Sequence, residues 1–421
     1  MQKIQSVRGM KDCLPDETPL WQWCEGIIRQ VMRRYSYSEI RLPVLEPVSL
    51  FERAVGESTD IVSKEMYDFR DKSGEHITLR PEGTSGCVRA IIEHNLCYKT
   101  SQRLWYSGPM FRYERPQKGR LRQFTQFGVE TFGLSGPDID AELILLVRDI
   151  FRELGVAESI TLQINSLGTA TERQKYRRIL VDYFMEHQTI LDDDSRKRLH
   201  VNPLRILDSK NPDMQELIQH APELLDYLED ESKNHFSEFC HLLDTLGVRY
   251  EINPRLVRGL DYYTRTVFEW VADSVGTQGT VCGGGRYDGL VELFDRNSLP
   301  AAGFAIGLER LLLLVQDSDN YVPVRQNPDL VITAEGMLTE HILISDRLRS
   351  EVPGLNIRTD CSGSKIKRQH ENAINSGCRY ILTVRKDYVL SLWKLNEREN
   401  VLLTSDELIT FFKNDFLHVK Q

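Results

Sequence analysis

Two stretches of the chain carry side chains whose types and spacing suit work on an anionic ligand. The first runs Phe111-Arg112-Tyr113-Glu114-Arg115-Pro116-Gln117-Lys118-Gly119-Arg120-Leu121-Arg122-Gln123-Phe124-Thr125-Gln126-Phe127-Gly128-Val129-Glu130. Pro116 and Gly119 mark a loop between two strands. Strand side chains alternate, so Arg112 and Glu114 are expected on one face, and Gln126, Gly128 and Glu130 on one face of the second strand. Polar groups flanking a glycine in mid-sheet fit a ligand floor; the competing reading is the solvated face of a hairpin. Arg115, Lys118 and Arg120 give the loop a basic tip suited to a phosphodiester backbone. The second stretch is Ala301-Ala302-Gly303-Phe304-Ala305-Ile306-Gly307-Leu308-Glu309-Arg310-Leu311. Gly303, Ala305 and Gly307 fall on one strand face without side-chain bulk, where a flat ring such as adenine can lie against the backbone. Close strand–helix packing would use the same residues. Arg310 sits in the first turn of the next helix, where the dipole disfavours a cation, so an anion is expected to compensate it. No G-x-x-x-x-G-K-S/T loop occurs, so a nucleotide must be held by side chains, with arginine the natural holder of phosphate.

The elements that must position these groups follow from periodicity. Thr18 and Pro19 are expected to open a helix as N-cap and first-turn proline. Leu20, Cys24, Ile27, Val31 and Tyr35 form its apolar face. Another helix is expected from about Asp140 to Gly155, burying Leu143, Val147, Ile150 and Leu154. Strands are expected at 38–46, 103–114, 122–132, 161–166, 263–271 and 301–307. Strands clustered among helices without regular βαβ alternation indicate an α+β domain on an antiparallel sheet. Residues 168–250, charged and helical, read as an insertion in that domain. The polar, proline-bearing run from Gln316 to Pro328 closes it. Beyond lie strand 329–334, helix 338–350, strand 355–359, helix 365–376, strand 379–384 and helix 405–413, a small α/β domain. The division expected is therefore 1–325 and 328–421.

Bulk properties exclude several classes. At 421 residues the chain exceeds one ordinary core. It has no apolar run long enough to span a membrane, and no apolar stretch behind the charge at its N-terminus. The eight cysteines form no C-x-x-C pair and no zinc spacing, so no structural metal is expected and a reducing compartment is. Net charge is −9, carried entirely by residues before 328, since 328–421 hold 13 basic and 13 acidic side chains. An acidic body still binds RNA through local basic patches, so net charge does not exclude nucleic acid.

Taken together, the two stretches resemble motifs 2 and 3 of the class II aminoacyl-tRNA synthetases, with Arg112 ending the first strand and Gly307-Leu308-Glu309-Arg310 as motif 3. Arg41-Leu42-Pro43-Val44-Leu45-Glu46-Pro47 is similar to the looser motif 1. Three segments resemble the histidyl-tRNA synthetases in particular: Thr78-Leu79-Arg80-Pro81-Glu82-Gly83-Thr84, Leu256-Val257-Arg258-Gly259-Leu260-Asp261-Tyr262-Tyr263-Thr264, and Gly283-Gly284-Gly285-Arg286-Tyr287-Asp288-Gly289-Leu290. The resemblance spans essentially the whole chain. It implies an α+β class II catalytic domain with a helical insertion, followed by an α/β anticodon-binding domain. It implies a ligase that activates L-histidine with ATP, releases pyrophosphate and transfers histidine to the 3′ end of tRNA(His), with Mg²⁺ on the triphosphate and no metal held by the protein alone. The implied catalytic groups are Arg112 and Arg258 at the α-phosphate and Arg310 at the γ-phosphate. Glu130 and Tyr263 would read the ring nitrogens of histidine, and Glu82, Thr84 and Gln126 its amino and carboxylate ends. Gly83, Arg112, Arg258, Tyr262 and Tyr287 would complete that pocket. ATP would meet Arg112, Arg120, Gly303, Ala305, Gly307 and Arg310, while Arg115 and Gln117 match positions that touch the extra 5′ guanosine of the tRNA. A cytoplasmic homodimer with motif 1 at its two-fold interface, and no membrane partner, is implied as well. The chain departs from the family after its expected strand 379–384, where Val384-Arg385-Lys386-Asp387-Tyr388 replaces a frequent Gly-x-x-Glu turn. Two alternatives stay open: the catalytically inactive regulatory subunit of ATP phosphoribosyltransferase, which typically loses the arginines and the C-terminal domain, and a class II synthetase for threonine or proline.

Overall fold

The computed structural model describes residues 3–417 apart from 57–58, 210, 259, 273–278, 296–297, 317, 319–320, 322–326, 337 and 387–388. Gly259, part of the proline-bearing linker and the Asp387-Tyr388 pair thus lie outside the described residues. The chain divides into two units, Met1–Val322 and Pro323–Gln421.

The first unit opens with α1 (Thr18–Arg34). Glu17, not Thr18, takes the N-cap position, because Thr18 already has helical backbone and turns its hydroxyl back to the Pro15 carbonyl. Leu20, Cys24 and Val31 are buried as the periodicity predicts, with Ile28 and Met32 replacing Ile27 and Tyr35, which are only partly covered. Next come β1 (Ser38–Glu39), β2 (Leu45–Pro47), α2 (Val48–Phe51), β3 (Tyr67–Arg70), β4 (His76–Leu79) and α3 (Thr84–Glu93). They are followed by β5 (Gln102–Phe111), β6 (Gln123–Phe132), α4 (Pro137–Glu153) and β7 (Thr161–Ser166). Pro137 at the first helical position starts α4 three residues before the expected Asp140. Then α5 (Ala170–Glu186), α6 (Asp193–Val201), α7 (Gln215–Gln219) and α8 (Asp230–Thr245) lead to β8 (Glu251–Ile252), β9 (Thr264–Val271), β10 (Thr280–Arg286), β11 (Ala301–Gly307) and α9 (Leu308–Gln316).

Eight of these strands form one sheet in the order β1-β5-β6-β11-β10-β9-β7-β8. Its inner pairs are antiparallel and only the two edge pairs are parallel. One face, carrying Trp105, Phe127, Val129, Phe268, Cys282, Phe304 and Ile306, packs with α1, α4, α8 and α9 into the main core. Each large apolar side chain buried there contributes roughly 1.5–3 kcal/mol. The opposite face is left for the site.

Two strand expectations change and one inner strand is added. The 38–46 strand is broken: β1 joins the large sheet while β2 pairs with β4 in a separate sheet, β2-β4-β3. Pro43 has no N–H to continue a ladder, and buried Arg80 takes the Leu42 and Pro43 carbonyls at 2.9 and 3.2 Å. The 103–114 strand stops at Phe111, so Arg112 and Glu114 lie beyond it and their sharing of a face does not come from strand alternation. The triple glycine is an inner strand, β10; glycines offer no side-chain alternation by which to read it. Within the helical stretch, α5 opens with a Thr169/Glu172 capping box and packs Tyr176, Leu180 and Phe184 into a second core. The last helix, α8, instead joins the main core through Phe239 and Leu243.

The second unit contains β12 (Leu330–Ala334), α10 (Leu338–Glu351), β13 (Ile357–Thr359), α11 (Ile366–Asn375), β14 (Tyr380–Val384), β15 (Leu390–Lys394), β16 (Glu399–Leu403) and α12 (Ser405–Leu417). Its sheet runs β13-β12-β14-β15-β16, parallel in the first three strands and antiparallel in the last. The hairpin β15–β16 is an addition to the expected strand–helix alternation. Among the described residues no helix is long and apolar enough to cross a membrane.

Candidate active site

The register of the large sheet lines up two rows of residues on its open face. One row is Tyr106, Gly128, Ala305, Gly283 and Glu269, across β5, β6, β11, β10 and β9. Beside it lie Glu130, Gly303 and Gly285. The middle of both rows has almost no side-chain volume, so larger groups at the edges lean inward. A Cβ at Gly303 would overlap the Glu130 carboxylate, and one at Gly283 the Arg258 guanidinium. Gly128 differs from the expected ligand floor. Its space is filled by the ring of Tyr106, the cross-strand neighbour, which also lies against Gly83. The resulting cleft, about 1020 Å³, is lined by Glu82, Thr84, Gln126, Glu130, the small residues Gly303, Ala305 and Gly307, and the arginines Arg112, Arg120, Arg258 and Arg310.

Glu130 is 1 % exposed. Its Oε1 accepts from the Thr84 hydroxyl at 2.7 Å and the Tyr106 hydroxyl at 3.0 Å, and its Oε2 accepts from the Tyr287 hydroxyl. Burial pushes this carboxyl up to about 8, against the hydrogen bonds from Tyr287 and Thr84, while the charge of Glu82 adds to the push. Glu82 sits at the N-terminus of α3, where its oxygens accept from the Thr84 and Ser85 amides at 2.7 and 2.8 Å. The Gly83 N–H donates to Gln126 Oε1 at 3.2 Å, tying this segment to β6. Tyr287 meets Tyr262 and Tyr263 edge to face while those two rings are tilted together, with ring centroids 4.7 to 6.3 Å apart, and the three line the cleft.

Four arginines enter from different elements. Arg112 donates through Nε to the Pro81 carbonyl at 2.8 Å and lies over the Phe124 ring. Arg120 is not at the loop tip: it turns into the cleft and pairs with Glu114. Gly119, with φ +70°, makes that turn possible, and mutual backbone bonds between Gln117 and Arg120 close it. The tip therefore presents Arg115, Gln117 and Lys118 to solvent. Arg310 meets the Gly119 and Thr280 carbonyls at 3.1 and 2.6 Å rather than an anion; among the described residues no carboxylate lies within ion-pair distance. Burial holds Arg112, Arg120 and Arg310 below the ordinary arginine value, and for Arg310 the charges of Arg120 and Arg112 add to it. Arginine stays charged regardless, so this mutual repulsion marks a cluster that a polyanion would relieve. Arg258 contacts Glu269 and stacks on Tyr263, and its Nε is buried without a hydrogen-bond partner among the described residues. Burial pushes it down, but Glu269, Tyr263 and Tyr262 together outweigh burial and hold it above the ordinary arginine value.

The cleft thus gathers the residues anticipated for amino acid and nucleotide, apart from Gly83, which acts through its backbone N–H. Arg115 and Gln117 lie outside it. Arg286, inside the triple-glycine segment, is wholly buried elsewhere and pairs with Asp140 at 2.7 Å and Asp288 at 3.1 Å. It anchors the chain next to Tyr287. Sequence reasoning missed Tyr106, Glu65 and Glu269, and also Arg198 and Arg205 from the insertion, all of which contact or line the cleft. Tyr106 and Glu269 could be found only from register across strands. The insertion arginines had no motif to flag them.

Comparison with known proteins identifies the family and the fold. The family model described as histidyl-tRNA synthetase matches residues 9–311. The chain is similar to the apo structure of histidyl-tRNA synthetase from S. aureus, with 35% identity over 98% of this chain and 100% of that one, and a TM-score of 0.78. It shares its fold with a histidyl-tRNA synthetase from a Nostoc species, at 20% identity, 98% and 100% coverage and TM-score 0.66. It also shares it with an ATP phosphoribosyltransferase regulatory subunit/histidyl-tRNA synthetase from Bacillus halodurans, at 20% identity, 91% and 100% coverage and TM-score 0.62.

Proposed function

This chain belongs to the histidyl-tRNA synthetase family, and on that premise we propose that it is a working histidine–tRNA ligase. The observation that carries the proposal is the cleft in which Arg112, Arg258 and Arg310 converge beside the Glu130 pocket. A regulatory subunit that binds no nucleotide for catalysis has no need of three arginines lining one cleft.

In this reading histidine lies against Glu130 and the tyrosine cluster, with its ring N–H donated to Glu130 and its other nitrogen facing Tyr263. A wrong side chain would strand those buried polar groups, which allows discrimination of 10⁴-fold or more, as an order of magnitude. Adenine lies on Ala305 and Gly307, since the Glu130 carboxylate already covers Gly303, and the triphosphate runs among Arg112, Arg120 and Arg310. The histidine carboxylate attacks the α-phosphorus and the bond to pyrophosphate breaks. Both partners are anions, so fixed positive charge at Arg112 and Arg258 lowers the barrier more than a general base would. In the second step the 3′-hydroxyl of tRNA attacks the adenylate carbonyl and AMP leaves. Mg²⁺ accompanies the triphosphate in this proposal. Glu65 and Glu309 line the cleft, and each has a buried carboxylate oxygen without a hydrogen-bond partner among the described residues. Hard oxygens of this kind suit the ion; Glu65 and Glu309 are the carboxylates that would be offered to it, and it would supply positive charge beside the triphosphate.

The exposed loop tip, Arg115 and Gln117, is proposed to meet the 5′ end of tRNA(His), and the second unit its anticodon. On that unit Lys365, Lys367 and Arg368 are exposed at the start of α11. A homodimer through the motif 1 region, working in the cytoplasm, completes the proposal. Pyrophosphate exchange measured with each of the twenty amino acids tests it: exchange with histidine alone is expected. Exchange with threonine or proline would reassign the substrate, and none at all would point to the regulatory-subunit reading.

A further inference from the structure

Tyr106 stands outside every motif, yet the fold makes room for it twice. Its ring fills the space over Gly128 and Gly83, where a Cβ on either glycine would overlap it. That packing alone would be satisfied by phenylalanine. The ring is 2 % exposed, and its hydroxyl donates at 3.0 Å to the oxygen of Glu130 that Thr84 also serves. A hydroxyl buried this deeply costs stability unless bonded, and this one donates to Glu130 with the Thr84 hydroxyl alongside. We infer that Tyr106 is a specificity-determining positioning residue, whose hydroxyl holds Glu130 as the fixed acceptor for the ring N–H of the amino acid. The inference rests on the proposed activation of histidine.

A carboxylate offers about four lone-pair sites, and three are taken by Thr84, Tyr106 and Tyr287, which leaves one for an incoming N–H. The titratable groups that face Glu130 are Glu82 and Cys87 beside or within α3, Tyr106 on β5, Tyr262 and Tyr263 before β9, and Tyr287 after β10. None is a cation. The three hydroxyls are therefore what favours the ionised carboxylate against burial, and burial already pushes it up to about 8. Burial raises the Tyr106 hydroxyl well above its ordinary value, so it remains a donor. Removing one donor shifts Glu130 toward its protonated form, in which it donates a proton instead of accepting the imidazole N–H.

The test is histidine-dependent pyrophosphate exchange by the full-length chain as a function of pH, for the unsubstituted protein, for Tyr106→Phe, and for a chain carrying 3-fluorotyrosine at 106. Tyr106→Phe is expected to raise KM for histidine about tenfold, as for one lost hydrogen bond to a charged group. KM for ATP should stay unchanged, and the acid limb of kcat/KM for histidine should move to higher pH. Fluorotyrosine keeps ring and hydroxyl but donates more strongly, so its acid limb should move to lower pH, which a purely structural role would not produce. An unmoved limb with histidine KM within about twofold in Tyr106→Phe overturns the inference, as does a fluorotyrosine limb that moves upward or not at all. If the phenylalanine variant does not fold, the fluorotyrosine arm decides alone. Absence of histidine exchange in the unsubstituted chain would overturn the proposed function itself, and this inference with it.

Discussion

Replacing Arg258 by alanine removes a cleft arginine that is held by an ion pair yet keeps a buried, unpartnered nitrogen among the described residues. Its guanidinium contacts Glu269 and lies over Gly283, while its Nε has no partner among the described residues. A preorganised positive group aimed at a transferring phosphoryl group is worth about 3 kcal/mol. At 1.36 kcal/mol per decade, its loss lowers exchange about a hundredfold. The variant also strands Glu269. That carboxylate is 17 % exposed, its Oε2 keeps only the Thr280 hydroxyl at 2.7 Å, and it lines the cleft that must admit phosphate. Uncompensated, it repels the incoming anion, so part of the loss is Glu269's doing. Adding Glu269→Gln to Arg258→Ala is therefore expected to restore about tenfold, a coupling of ~1.4 kcal/mol between contacting residues. The assay is pyrophosphate exchange at saturating ATP, with histidine KM measured in parallel and expected to change less than kcat. Near-normal exchange in Arg258→Ala would remove Arg258 from the chemistry. No recovery in the double variant would show that the charge of Glu269 is not felt at the phosphate.

Glu130→Gln keeps the shape but loses the charge, and should raise KM for histidine with KM for ATP nearly unchanged; movement of the ATP value alone would misplace the pocket. Arg115→Ala should impair aminoacylation while sparing exchange, and deleting the 5′ guanosine of the tRNA should add little to it. Fully additive losses would show that the two do not touch. A chain ending near residue 322, where the first unit closes, should still exchange pyrophosphate but show a much higher KM for tRNA. Charging of tRNA at full efficiency by a folded truncate would refute an anticodon role for the second unit. Asp140 tests the frame rather than the chemistry. Burial pushes its carboxyl up, but the His235 hydrogen bond and the Arg286 charge prevail and hold it below the ordinary value. Its contribution is therefore present above the unfolded-state pKa, near 4, and is lost as pH falls through the folded-state value. Asp140→Asn should cost about 3 kcal/mol at neutral pH in urea unfolding, because Arg286 and His235 lose a buried partner. The gap to the unsubstituted protein should shrink in acid, and a constant gap would contradict the ion-pair account.

The sequence by itself determined the chemistry on offer and most of the scaffold. Alternation on β6 and β11 placed Gln126 and Glu130 with Gly303, Ala305 and Gly307 on one face, because period-2 geometry is local. The spacing of apolar residues likewise found α1 and α4 to within a few residues. Tertiary structure decided what those faces do. Whether the space above Gly128 is empty depends on which residue sits across from it, and strand register set Tyr106 there. β10 became a central strand although its glycines carry no pattern, because its neighbours on either side supply the ladder. Arg120 was legible as basic, but only the left-handed turn at Gly119 and the Glu114 partner sent it inward while Arg115 stayed outside. Residue type and local period travel along the chain and can be read there. Register, and the pairing of charges distant in sequence such as Arg286 with Asp140, exist only once separate segments have packed.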